Sequence, residues 1–137
     1  MIGKLAHIGI AVKDLTPVAT LYRDVLGLTL SSVDESEDLR WIFVPLGETA
    51  LEFIQSKGAH TPIARFVSKH GEGIHHIALE VDDIEAALGA MKERGVPLID
   101  ETPRVGAHGS RIAFIHPKAT QGVLIELVEP ARFAVPR

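Results

Sequence analysis

Two histidines and two glutamates stand at matching places in the two halves of this chain, and together they are able to bind a cation or move a proton. His7-Ile-Gly-Ile-Ala-Val-Lys-Asp-Leu15 recurs as His76-Ile-Ala-Leu-Glu-Val-Asp-Asp-Ile84. Leu51-Glu-Phe-Ile54 recurs as Ile125-Glu-Leu-Val128. Each half therefore opens on a segment carrying a His and closes on one carrying a Glu. Glu52 and Glu126 have apolar neighbours, where burying a carboxylate is costly without a partner. A pseudo-twofold relation between the halves would bring His7, Glu52, His76 and Glu126 together. Two imidazoles and two carboxylates at one point are the donor set of a divalent metal site. The chain has no cysteine, so thiolate ligation and disulfides are excluded, and the donors suit a harder or borderline ion.

The elements that must position these residues follow from the same repeat. Residues 4–12 read as a buried strand, and Asp14 or Thr16 with Pro17 opens a helix over 18–26 that Gly27 stops. Three strands are expected at 28–34, 39–45 and 49–55, with a hairpin turn at Leu46-Gly-Glu-Thr49. Residues 56–73 form a linker with a short helix at 63–69. The second half repeats the plan. A strand at 73–81 leads into a helix over 84–94, ended by Gly95. A strand begins at 97–100, and a glycine-rich loop spans 105–109. The last strands are 111–116 and 123–128, and the tail from Pro130 is expected to be loosely held. Neighbouring His75 and His76 point to opposite faces of their strand, and the repeat selects His76. His60, His70 and His108 sit among turn residues and are expected to be exposed, with His108 the nearest to a pocket mouth.

At 137 residues the chain suits one compact domain, with modules at 4–55 and 74–129. An apolar share of 46% predicts a well-filled interior rather than disorder. A net charge of −4 without a basic run gives no reason to expect nucleic-acid binding. No apolar run is long enough to span a bilayer, and the first residues lack a leader pattern, so a soluble cytoplasmic protein is expected.

Tandem strand-helix-strand-strand-strand units with this His/Glu pattern resemble the vicinal oxygen chelate superfamily. The second half is similar in particular to its methylmalonyl-CoA epimerases, through Gly71-Glu-Gly-Ile-His-His76, Asp100-Glu-Thr-Pro-Arg104, Arg111-Ile-Ala-Phe-Ile-His-Pro-Lys118 and Gly122-Val-Leu-Ile-Glu-Leu-Val128. The resemblance covers residues 4–129. It implies an α+β, glyoxalase-like fold whose two βαβββ modules form a curled mixed sheet around the metal, with His7, Glu52, His76 and Glu126 as ligands. It also implies a Co, Mn, Ni, Zn or Mg cofactor, an acyl-CoA substrate and a homodimer. The implied reaction is removal and return of the α-proton of methylmalonyl-CoA through a metal-stabilised enediolate, with Glu126 as first base and Glu52 as second. Arg104 and Lys118 are the expected contacts to anionic groups, and His116, at a strand end before Pro117, is expected to be a loop or substrate contact.

One position departs from the family. A second catalytic carboxylate that some epimerases carry on the middle strand of the first module aligns with Arg40, which cannot serve as a base. Glu35, Glu37, Asp38 or Glu52 is left to substitute, and Arg40 to bind a substrate carboxylate or sit on the surface. The same quartet resembles glyoxalase I, a lactoylglutathione lyase acting on a hemithioacetal. Non-catalytic small-molecule binders of this fold are a third class, but they commonly lack the full quartet.

Overall fold

The computed structural model describes residues 2–131. These divide into two compact units, residues 7–75 and residues 2–6 with 76–131. Strand β1 (Ile2–Val12) contributes its first residues to one unit and its last to the other.

The first unit orders its strands β2 (Asp34–Glu35), β3 (Leu39–Leu46), β4 (Thr49–Ser56), β1. β1 and β4 are parallel, and β3 is antiparallel to both β4 and β2. A parallel pair needs a crossover. Here α1 (Thr16–Val18), which runs on as a π-helix over Ala19–Val25, begins that crossover. Asp14 Oδ1 accepts from the Thr16 N–H at 2.9 Å, Pro17 lies in the first turn, and Gly27 follows the last turn with a φ of 72°. The wide turn shows in the Leu26 N–H, which donates to the Leu21 carbonyl five residues back. Val12, Leu15, Val18, Ile42, Val44 and Phe53 form a core on this helical side. The opposite face packs Ala11 and Ile54 against Ile63 of α2 (Pro62–His70). Both faces of β4 are thus covered around Ile54, and Glu52, Phe53 and Ile54 are all buried.

The second unit repeats this arrangement with β1, β5 (Gly73–Val81), β8 (Ile125–Glu129), β7 (Arg111–Ile115) and β6 (Arg104–Val105) in that order. β5 and β8 are parallel, and β7 is antiparallel to β8 and β6. α3 (Ile84–Glu93) is capped by Asp83, whose Oδ1 accepts from the Ala86 N–H at 3.0 Å, a contact worth about 1 kcal/mol. Its Ile84, Ala87 and Leu88 pack on Val81, Ala113, Ile115 and Leu127. Burying a side chain such as Leu88 contributes roughly 1.5–3 kcal/mol. In both units the last strand holds the start of the helix. Gln55 Oε1 accepts from the Leu15 N–H at 2.9 Å, and Glu129 Oε1 accepts from the Ile84 N–H at 3.1 Å.

Two expected strands are not formed as expected. In 28–34 only Asp34 pairs as a strand, and Ser31 instead bonds Phe43, its N–H to the Phe43 carbonyl and its Oγ from the Phe43 N–H, both at 2.8 Å. In 97–100 there is a single bridge, Leu98 to Ile115, while the Ile99 and Asp100 N–H groups share the Phe114 carbonyl. In both places a side chain takes the bond that a regular ladder would give to a backbone carbonyl. The final strand begins at Ile125 rather than Val123. Most of the tail from Pro130 lies outside the described residues.

Candidate metal centre

The hairpin of the first unit decides which side chains meet. Leu46 pairs with Thr49 across a two-residue turn, where Gly47 takes a φ of 63°. Counting back, Phe43 faces Glu52, Trp41 faces Ile54 and Arg40 faces Gln55. On the other side of β4, Glu52 pairs with Gly9 of β1, two residues from His7. Side chains alternate along strands and cross-strand partners share a face, so His7, Glu52 and Phe43 share one. His7 Nε2 lies 3.2 Å from Glu52 Oε1, and the His7 ring meets Phe43 edge-on at 5.7 Å.

The second unit builds the same trio. Glu126 pairs with Ala78 of β5, two residues from His76, and with Phe114 of β7. His76 Nε2 lies 3.5 Å from Glu126 Oε1, and its ring meets Phe114 edge-on at 5.8 Å. Glu52, His76 and Glu126 are buried at 8%, 4% and 5% exposure. A carboxylate at such depth is retained only with strong partners. Imidazole nitrogen beside carboxylate oxygen, twice, is a donor chemistry that fits a divalent ion.

Arg40 is on the other face. It alternates with Trp41 and Phe43, partners Gln55 and lies 3.9 Å from Glu35, half exposed. It therefore does not share a face with Glu52, and the alignment that set it at a catalytic position is corrected by strand parity. Glu35 bonds Lys57, and that bond, then the Lys57 charge and the weaker Arg40 charge, holds its carboxyl below the usual range. On the face shared with Glu52, the edge strand instead carries Asp34, the partner of Trp41.

His75 packs edge-on against Phe66 at 5.0 Å, away from the His76 face as alternation requires. His60, His70 and His108 are exposed, as expected. His116 and Lys118 stand beyond the end of β7 in a short turn, both exposed, with His116 Nδ1 accepting from the Lys118 N–H at 3.1 Å. Arg104 is drawn in: its guanidinium carbon lies 5.4 Å from the centre of the Phe114 ring. Arg111, the counterpart of Arg40, bonds Glu85 at 2.9 Å and Glu129 at 3.4 Å, and these carboxylates, Glu85 foremost, raise its affinity for its proton.

Phe43 and Phe114 are site residues that the His/Glu pattern does not reveal. The signal was a third repeat, Arg40-Trp-Ile-Phe43 against Arg111-Ile-Ala-Phe114.

Residues 6–114 match the model of the Glyoxalase/Bleomycin resistance protein/Dioxygenase superfamily. The mitochondrial methylmalonyl-CoA epimerase of Dictyostelium discoideum is 43% identical over 93% of this chain and 79% of the relative. The chain belongs to this epimerase family. The ethylmalonyl-CoA/methylmalonyl-CoA epimerase of Cereibacter sphaeroides is 41% identical over 93% of this chain and 98% of its own. A structure of Streptomyces coelicolor methylmalonyl-CoA epimerase in complex with 2-nitronate-propionyl-CoA superposes with a TM-score of 0.91, at 31% identity, covering 99% of this chain and all of that one. The fold is glyoxalase-like. Among the described residues no helix is long and apolar enough to cross a membrane.

Proposed function

We propose that this chain epimerises methylmalonyl-CoA, removing the proton from the carbon between thioester and carboxylate and returning one to the opposite face. The observation that carries the reading is the repeated pair of a strand His within 3.5 Å of a buried strand Glu, in a member of the epimerase family. The pairs occupy corresponding places in the two βαβββ modules, 4–55 and 74–129, of one domain. His7, Glu52, His76 and Glu126 would together hold one divalent cation. When bound, that ion supplies Lewis-acid stabilisation of the charge developing on the thioester and carboxylate oxygens.

The remaining work belongs to side chains of this protein. Glu126 takes the α-proton and Glu52 serves the opposite face, each a general base of the kind worth about 10²–10⁴-fold in rate. The edge-on contacts of Phe43 and Phe114 hold the imidazoles of His7 and His76 and exclude water around them. Arg104, His116 and Lys118 supply cationic or hydrogen-bonding contacts to the anionic substrate. Arg40, on the opposite face, is left out of this set. The working form in this reading is a cytoplasmic homodimer.

The test is proton exchange by NMR. Methylmalonyl-CoA in D₂O is followed with protein reconstituted separately with Co²⁺, Mn²⁺, Ni²⁺ and Zn²⁺. Metal-dependent loss of the α-hydrogen signal is expected, abolished by Glu126→Gln for the epimer whose proton faces Glu126. Absence of exchange with every metal, beside stoichiometric metal binding, would sink the reading and direct attention to the hemithioacetal of glutathione and methylglyoxal.

A further inference from the structure

The loop before β6 contains a side chain that ties Arg104 to the strand carrying Phe114. Asp100 uses both carboxylate oxygens. Oδ2 accepts from the Phe114 N–H at 2.9 Å, and Oδ1 accepts from Arg104 Nε at 3.2 Å. The Asp100 side chain is largely covered, at 17% exposure, whereas that of Arg104 is 55% exposed. Arg104 partners Ile112, two residues from Phe114, so it stands on the Phe114 face, and its guanidinium lies over the ring that meets His76. An isolated surface pair four residues apart would be worth little. This pair is different because one oxygen of its carboxylate is fixed to the strand and the cation rests on an aromatic face.

We propose that Asp100 is a positioning residue which holds Arg104 as a preset clamp for an anionic group of the substrate, a carboxylate or a phosphate, beside the His76–Glu126 pair. Guanidinium has five N–H donors in a rigid fork. The bond to Asp100 uses the inner one, on Nε, and the stacking orients the plane. The two terminal nitrogens remain for the bidentate geometry that carboxylates and phosphates match. Holding the fork in place before the ligand arrives removes part of the ordering cost of binding. This inference rests on the epimerase reading for its ligand. The substrate offers two sources of oxyanion, the acyl carboxylate and the coenzyme A phosphates.

The experiment is calorimetric titration of the metal-loaded protein with methylmalonyl-CoA and, separately, with coenzyme A. It is run on the parent chain, Arg104→Ala, Arg104→Lys, Asp100→Asn and the double variant Asp100→Asn/Arg104→Ala. Arg104→Ala is expected to weaken binding about tenfold, as for loss of hydrogen bonds to a charged group. Arg104→Lys should recover part of that loss. Asp100→Asn, which keeps an acceptor for the Phe114 N–H, should weaken binding about threefold, and should add nothing in the Arg104→Ala background. A merely structural Asp100 would cost affinity in both backgrounds. Weakening of both ligands assigns the clamp to a phosphate, and weakening of methylmalonyl-CoA alone assigns it to the carboxylate. Unchanged affinity in Arg104→Ala, or an Asp100→Asn loss that persists without Arg104, would overturn the proposal while leaving the epimerase reading intact. Failure of the parent chain to bind either ligand would overturn both.

Discussion

The two halves of this molecule agree at the centre of their sheets and part company at the edge. At the centre the match is residue for residue: His7, Glu52 and Phe43 against His76, Glu126 and Phe114, with Gly9 and Ala78 as the small partners of the glutamates. The match extends to the residue that receives the phenylalanine N–H, Ser31 in one half and Asp100 in the other. It ends there. The Ser31 hydroxyl, which accepts from Phe43 and donates to the Ser32 carbonyl, has no charge to offer a neighbour, whereas the second oxygen of Asp100 holds Arg104. At the corresponding edge position, one step across from the site strand, the first half carries Asp34. A duplicated centre suits an ion, which has no handedness to recognise. Unlike edges suit a substrate that is itself unsymmetrical, anionic on one side and reactive on the other.

Removing one central carboxylate at a time should separate the two halves most strongly. Glu126→Gln and Glu52→Gln are each expected to lower epimerisation by about 10²–10⁴-fold, the usual weight of a general base. Each should leave α-hydrogen exchange intact for one epimer only, and the surviving epimer should differ between the two variants. Exchange is read by NMR in D₂O, with metal content measured on the same samples. If both variants keep their metal and spare the same epimer, the halves do not act on opposite faces.

The edges give a smaller and oppositely signed effect. Asp34→Asn removes a negative charge from the face that carries Glu52, so the KM for methylmalonyl-CoA should fall, by about twofold, with kcat little changed. Asp34 is half-buried at the sheet edge, and charge interactions near the surface amount to roughly 0.2–1 kcal/mol. A rise in KM would mean that Asp34 orders the strand rather than opposing the substrate.

The smallest effect concerns the pairing that pins β2. The carboxyl of Glu35 is held below the ordinary range by its bond to Lys57. A group depressed on folding contributes stability above its unfolded pKa, and that contribution is lost as pH falls through the folded value. Glu35→Gln should therefore lower the Tm slightly at neutral pH, with the difference from the parent vanishing in acid. A gap that persists unchanged at low pH would remove the ion pair as its cause.

Much of the centre was legible from residue order. A His two residues before a small residue, and a Glu among apolar neighbours, can share a face only if strand parity permits, and the repeat showed the same parity twice. Alternation admits only one of His75 and His76 to the site, and the repeat, which matches His7 to His76, makes the choice. The face of Arg40 was also recoverable, since the two-residue turn at Gly47-Glu48 pairs Leu46 with Thr49 and counting back sets Arg40 opposite Gln55. Residue-by-residue alignment with the family ignored that count and put Arg40 where only an odd-numbered neighbour on β3 can face Glu52. The segments 28–34 and 97–100 misled for a different reason. Their apolar content reads as strand, but Ser31 and Asp100 offer the adjacent phenylalanine a side-chain acceptor, and regular pairing gives way there.

The duplicated units, the four polar residues on their central strands and the elements that carry them are all written in residue order, because strand alternation and helix capping act over a few residues. The tertiary structure decided which edge residues join each centre. Asp100 reaches Phe114 across fourteen positions, and Arg104 meets the same ring through β6–β7 pairing. Those contacts depend on register and loop path, which side-chain type and spacing do not encode until the strands have paired.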